Sequence, residues 1–425
     1  MVATIGLSSS GTGKECGGGA CDDRRSGSIL AQRRIRPLRR TRLNLLGESM
    51  RGMTRARSPR HDRGGIVMGA MRNQAAIYAD FHFRTSWSRP FMVFIEPTLR
   101  CPMGCRFCDL PYDSTFPRAR ELPIERWMGI LRELKDFSPL VRSVYISGGE
   151  PFLRRDLIDL IEYAHNIGLG TRTLTIGWFL DPRLCDRLIR SPMDFLKFSI
   201  HSSRQAVHDS LVRRPVFERA TRAISYLRSN GYPRRIGMLC TVFQGNVDHL
   251  DEIVQWAAEF GIEYILLRPL FGQTVAQRIE GNLPTDPRDF NAECVVADIE
   301  LMRTSIEKVK VLKRQGLPVA NSEKQLDLIV AQAEGTYHGF TGCHMMYESI
   351  YIKPDGTVQV CGHLALGEMG SVASRSVSDV LTSPEAYAAR HLVTRDCQCP
   401  ANGFIRKSFG EKAALVTQLA RGGVQ

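Results

Sequence analysis

Six short apolar or β-branched runs recur between residues 91 and 270: FMVFIEP (91–97), VRSVYIS (141–147), TRTLTIG (171–177), FLKFSIH (195–201), RIGMLCTVF (235–243) and IEYILLRPL (262–270). Stretches with helical spacing lie between them. In PIERWMGILRELKDF (123–137) the apolar residues Ile124, Trp127, Ile130, Leu131 and Leu134 fall on one face, and RDLIDLIEYAHNIG (155–168) closes on Gly168. PVFERATRAISYLRSNG (215–231) and VDHLDEIVQWAAEFG (247–261) complete the set. Alternation of this kind specifies an α/β chain with a parallel sheet and right-handed crossovers. Six units make a partial, TIM-like (β/α)6 barrel, whose chemistry belongs at the C-terminal ends of its strands.

The net charge of +13 on 425 residues suggests a nucleic-acid binder until it is divided along the chain. Residues 1–75 hold 15 Lys and Arg against five Asp and Glu, a net of +10, so the other 350 residues carry only +3. This N-terminal segment is rich in Gly, Ser and Arg, shows neither helical nor strand period, and reads as a disordered basic tail. Its Arg runs lack interleaved aromatics, which argues against nucleic acid as a partner. No apolar run is long enough to span a membrane, and no signal-peptide core is present. The expected location is the cytoplasm.

Twelve cysteines in such a chain are not a disulfide framework, and their clustering points to metal or redox chemistry. Cys101, Cys105 and Cys108 stand in CPMGCRFC, immediately after the first strand. A structural zinc site needs four ligands, and these three would need a distant residue to complete it. A [4Fe–4S] cluster on three thiolates instead leaves one iron free for a ligand.

At the end of the second strand stands YISGGEPFLRRDL (145–157). Gly148 and Gly149 permit close backbone approach, and Glu150 with Pro151 supplies a fixed acceptor. The C-x3-C-x2-C loop after strand one and SGGEP after strand two together resemble the radical S-adenosylmethionine (SAM) superfamily over roughly residues 89–275. The resemblance implies that Cys101, Cys105 and Cys108 hold the SAM-binding [4Fe–4S] cluster. It also implies that Phe107 packs near the adenine and that Gly148, Gly149 and Glu150 meet the methionyl amine. Ser199 matches a serine that meets the SAM carboxylate or ribose, and HDSLVRRP (208–215) resembles the stretch with a carboxylate-binding arginine. Arg213 and Arg214 compete for that last role, with Arg213 preferred. The chemistry implied is reductive cleavage of SAM to a 5′-deoxyadenosyl radical, fed by an electron donor such as flavodoxin or ferredoxin.

Strand parity adds a residue-level expectation. In FLKFSIH, Lys197, Ser199 and His201 alternate with Phe198 and Ile200, so the polar set faces the barrel interior. His201 is either a ligand contact or a hydrogen-bonded interior histidine. Arg268 on the sixth strand is either interior or a surface ion-pair partner.

Residues 276–340 read as a helical connector. A second cysteine group follows over 341–410, where SIYIKPDGTVQVC (349–361) is a hairpin turning at Asp355-Gly356, and a later helix delivers Cys397 and Cys399. This small hairpin-plus-helix domain, with Cys343, Cys361, Cys397 and Cys399, resembles the twitch/SPASM extension and implies a second, auxiliary [4Fe–4S] cluster. A four-cysteine zinc knuckle is the alternative. Relatives commonly end in C-x2-C, whereas a single residue separates Cys397 from Cys399, so both cysteines reaching one cluster is in question. The favoured substrate is a small metabolite to be oxidised, epimerised or rearranged. A ribosomal peptide is the alternative, and a zinc-stabilised non-enzymatic binding protein the remote one.

Overall fold

The computed structural model describes residues 63–108, 117–270, 294–336, 345–361 and 367–392. The tail through residue 62, Cys343, Cys397 and Cys399 lie outside these. The described chain builds one nine-stranded sheet in the order β6-β5-β4-β3-β2-β1-β7-β8-β9. The six expected strands are β1 (Met92–Thr98), β2 (Ser143–Gly148), β3 (Gly170–Thr175), β4 (Phe195–Ser199), β5 (Arg235–Thr241) and β6 (Tyr264–Arg268). They pair in parallel with their sequence neighbours, as the open, partial barrel requires. The hairpin forms with β7 (Ser349–Ile352) antiparallel to β8 (Thr357–Gln359), and β9 (Glu368–Ser371) adds to its far edge. Gly356 sits at φ +85° in the turn, a conformation that favours glycine. Because β7 also pairs in parallel with β1, the C-terminal strands continue the barrel sheet.

One face of each strand supplies the core. Val93 and Ile95, Val144 and Ile146, Leu196 and Phe198, Ile236 and Met238, and Ile265 and Leu267 join a single buried cluster with the helices. Helix α2 (Ile124–Phe137) fills its share with Trp127, Ile130, Leu131 and Leu134, each fully buried, while Ile124 packs at the margin. Burial of this kind contributes roughly 1.5–3 kcal/mol per large side chain. Helices α3 (Leu157–Asn166), α6 (Phe217–Ser229) and α7 (Leu250–Glu259) also stand where the spacing places them. Two short helices carry no long apolar period and escape the pattern. These are α4 (Pro182–Arg190), which Asp181 caps by accepting from the Leu184 amide, and α5 (Gln205–Val212). Beyond β6 the connector is helical over α8 (Ile299–Arg314) and α9 (Glu323–Ala333). Between these helices the Asn321 amide exchanges two 2.8 Å hydrogen bonds with the Leu267 backbone, which protects the β6 edge.

The other departure is α1 (Arg63–Phe83), which starts within the segment whose pattern shows no period. Tertiary contacts rather than amphipathicity hold it. Ile77 is 1% exposed in the main core, and the Asn73 side chain pairs with both backbone groups of Arg89. Asp80 accepts from the Thr85 and Ser88 hydroxyls and the Trp87 and Ser88 amides at 2.5–2.8 Å. Burial pushes its carboxyl up, but these four donors outweigh that and hold it below the usual value. Asp80→Asn is therefore expected to cost about 2 kcal/mol at neutral pH. The native carboxyl sits lower than the unfolded one, so the stability it confers is full above about pH 4 and is lost as pH falls further. Urea titrations of both proteins at pH 7 and pH 3.5 check this, and an undiminished gap in the acid would refute it.

Candidate functional site

The cysteine loop leaves β1 at the mouth of the barrel and is clamped from three sides. Glu121 holds its start, accepting from Arg100 at 2.8 and 3.1 Å and from the Thr98 hydroxyl at 2.5 Å. On a second side the chain after β2 latches onto it, with the Gly149 amide donating to Thr98 O (2.9 Å) and the Glu150 amide to Arg100 O (3.0 Å). On the third side lies the end of α5. The Gly104 and Arg106 amides donate to the carbonyls of Val212 (3.2 Å) and Leu211 (3.0 Å), groups that a helix terminus leaves without internal partners. Arg213 ends that helix at φ +57°, and Asp209 carries the chain into α6 by accepting from the Val216 and Phe217 amides.

Cys101, Cys105 and Cys108 are each half-buried, and the Cys108 amide donates to Cys105 O in a turn (3.1 Å). Cys101 and Cys105 pack with Met103, Ile176, Val212, Val216 and Trp178. Burial, with a smaller push from Glu150, raises the Cys101 thiol to about 11. Cys105 goes higher, through burial and then the neighbouring Cys108 and Cys101 sulfurs. Thiolates this close in an apolar lining need positive charge beside them, which is what iron supplies. Among the described residues no three His, Cys, Asp or Glu side chains converge on a single-ion site. A cluster asks for something else, since each thiolate meets a separate iron. The donor set and its lining fit such a cluster.

The two glycines serve the chain's own packing. A Cβ on Gly149 would lie 2.2 Å from Arg100 O, and one on Gly148, at φ +103°, would lie 2.4 Å from Thr98 O. Their lack of a side chain lets the cysteine loop approach closely. Glu150 is 1% exposed, and its carboxylate accepts from the Thr175 hydroxyl (2.7 Å), the Ile176 amide (2.8 Å) and the Phe152 amide (3.2 Å). Burial raises it to about 7 against those three hydrogen bonds. It thus ties the end of β2 to the end of β3.

Phe107 packs beside Leu211, Phe243 and Cys294 and meets the His201 ring edge-on at 5.0 Å. His201 is the hydrogen-bonded interior histidine: its Nδ1 accepts from the Thr241 amide at 3.1 Å, and its carbonyl accepts from Asn246 at 2.6 Å. Burial, then His208, keeps it neutral. Ser199 is half-buried at the end of β4. Arg213 is exposed at the α5 terminus, whereas Arg214 reaches the cysteine loop and donates to Pro102 O at 3.2 Å. Sequence reasoning passed over Asp209, Glu121 and Trp178, although the capping residue type of Asp209, ahead of a helical run, was a usable signal.

Below this mouth the inward side chains of the strands form a second layer. Phe94 stacks between Tyr145 (4.9 Å) and Tyr351 (4.5 Å), and Arg172 and Lys197 stand on the next strands. In the C-terminal segment, Cys361 follows β8 and is half-buried against the core. A separate groove of about 1000 Å³ lies outside the barrel, lined among others by Arg118, Leu122, Phe152 and Arg187, and it holds none of the cysteines. No helix among the described residues is long and apolar enough to cross a membrane.

Residues 95–257 match the sequence model of the radical SAM superfamily, and residues 343–401 match that of the iron–sulfur cluster-binding SPASM domain. Among solved structures the fold is similar to Streptococcus suis SuiB bound to S-adenosylmethionine, with 18% identity and a TM-score of 0.57 over 79% of this chain and 76% of that one. The same protein bound to its precursor peptide SuiA gives 18% and 0.57, over 79% and 75%. Native anSMEcpe with bound AdoMet and the Cp18Cys peptide gives 12% and 0.52, over 78% and 99%. At these identities the likeness concerns the fold.

Proposed function

The chain carries a radical SAM domain followed by a SPASM iron–sulfur domain, and from that premise we propose that it cleaves SAM reductively and abstracts hydrogen from a peptide. One observation carries the reading: three thiols share a loop whose backbone is locked to the Gly-Gly segment after β2. Cys101, Cys105 and Cys108 would hold a [4Fe–4S] cluster, which would supply the electron for reductive cleavage of SAM. The protein's own residues do the rest. Glu121, Gly149 and the end of α5 fix the loop, and Trp178, Met103 and Val216 exclude water from it. Phe107, Ser199 and the Gly148–Glu150 segment border the space for SAM, with Arg213 or Arg214 toward its carboxylate. Cys343, Cys361, Cys397 and Cys399 are proposed as the auxiliary cluster set, and a flavodoxin or ferredoxin as the electron source.

The sequence alone favoured a small metabolite. The peptide reading gains from SuiB and anSMEcpe, whose folds run along more than three quarters of this chain and which have been seen with peptides bound. The test is anaerobic incubation of reconstituted protein with SAM, reductant and a panel of Cys-, Ser- and Gly-rich peptides, following deoxyadenosine and peptide mass together. Deoxyadenosine should rise with one class of peptide as that peptide loses hydrogen or takes up deuterium from solvent. Stimulation by small metabolites and by no peptide would return the reading to the small-molecule class.

A further inference from the structure

The inward face of β3 to β6 carries Arg172, Lys197 and Arg268, with exposed Arg235 at its lower end, on strands whose outward faces are wholly apolar or threonine-lined. The Lys197 ammonium lies 5.3 Å from the Phe195 ring centre and 5.5 Å from that of Tyr264, two rings packed edge to face at 5.2 Å. Arg172 stands over Tyr145 at 5.5 Å, and Tyr145 continues into the Phe94 and Tyr351 stack. Aromatic faces offset part of the cost of burying these cations but leave their charge in place. Among the described residues neither Arg172 nor Lys197 makes an ion pair, and the interior acid Glu96 is already held by Lys353 at 2.8 Å. Burial first, then Arg172 and Arg268, pulls Lys197 down to about 8, as befits a desolvated ammonium among other cations.

This layer is distinct from the space for SAM. Arg172 lies four residues before Ile176, whose amide meets Glu150 at the barrel mouth, and Lys197 lies two before Ser199. At about 3.3 Å per residue, Arg172 stands more than 10 Å deeper. We propose that the barrel interior binds a carboxylate of the substrate between Arg172 and Lys197, with the Tyr145, Phe94 and Tyr351 wall holding an aromatic or apolar group next to it. The proposal deepens the peptide reading and rests on it. A guanidinium can take a carboxylate through two parallel hydrogen bonds, and the ammonium adds a second charge in a setting poorly screened by water.

The test uses the reconstituted full chain with SAM bound and three probes: N-acetyl-phenylalanine, its amide, and N-acetyl-glutamyl-phenylalaninamide. Calorimetric titration should show at least one acid binding, with the uncharged amide weaker by about tenfold or more. The first acid reports a C-terminal carboxylate and the other a side-chain carboxylate, so their ranking identifies the source. Arg172→Gln and Lys197→Gln should each erase the preference for acid over amide. Arg172→Lys and Lys197→Arg, which keep the charge, should retain most of it and so exclude a folding defect. Equal binding of acids and amide, no binding of either acid, or a preference that survives both glutamine exchanges would overturn the site. Deoxyadenosine release with SAM and reductant tests the radical reading separately. A protein that cleaves SAM and ignores the acids refutes the carboxylate site alone.

Discussion

Replacing any one of Cys101, Cys105 and Cys108 with alanine is expected to abolish deoxyadenosine formation while the barrel stays folded. In the proposed cluster each thiolate would hold a separate iron, so no neighbour could substitute for the missing sulfur. The fold should tolerate the change, because the three thiols are half-buried on a loop, and Cys101 and Cys105 pack against a small apolar cluster outside the main core. The loop would still be held by Glu121 through the Thr98 and Arg100 side chains, and by the Leu211 and Val212 carbonyls. Anaerobic reconstitution should give about eight irons per chain, and about four in each variant if the C-terminal cysteines fill a second four-iron cluster. Cys361→Ala should also lower the count to about four, from the other site. Cys185→Ala is the control: that thiol is buried beside the Leu180 carbonyl in α4, and its loss should cost stability without touching iron or turnover. Wild-type deoxyadenosine release from any one of the three loop variants would sink the cluster assignment. Zinc in place of half the iron, in protein purified without oxygen, would sink the auxiliary one.

The parts of this fold written in periodic residues were legible, and the parts written in contacts between distant segments were not. Lys197 and Ser199 against Phe198 declare an inner and an outer face of β4 without any structure, because side chains alternate strictly along a strand. The cysteine trio and SGGEP are local in sequence and therefore readable, as is the Asp355-Gly356 turn. By contrast, α1 has no apolar stripe, and only Ile77, the Asn73 pairing with Arg89 and the Asp80 hydrogen bonds reveal why it is helical. The hairpin was readable, but its parallel docking onto β1, with Phe94 stacked on Tyr351 and Glu96 paired to Lys353, joins residues about 250 apart. Within the site the same division holds. The cysteine trio is visible in the sequence, whereas the α5 terminus that receives its loop is not, since a non-glycine residue at positive φ, Arg213, closes it.

Gly149→Ala is expected to lower deoxyadenosine formation by at least about a hundredfold, the scale of loss that a misplacement of about 1 Å produces. The added methyl group would meet Arg100 O at 2.2 Å, the Arg100 carbonyl carbon at 2.6 Å and the Leu99 carbonyl carbon at 2.7 Å. These are backbone atoms of the strand exit that leads into Cys101, so no side chain can swing aside. Either the loop or the turn after β2 must shift, breaking the 2.9 Å and 3.0 Å hydrogen bonds that join Gly149 and Glu150 to Thr98 and Arg100. The first cysteine would then move relative to the other two, which the α5 terminus holds independently through Gly104 and Arg106. Gly231→Ala separates this effect from general strain. Gly231 has φ +76° and open space where a Cβ would go, so its exchange should cost about 1 kcal/mol of stability and leave turnover intact. Iron content, thermal unfolding and deoxyadenosine rate measured on both variants decide the matter. If Gly149→Ala loses stability as Gly231→Ala does yet cleaves SAM at the wild-type rate, the latch between the two motifs is a packing detail, and the Glu121 and α5 contacts alone set the position of the cysteines.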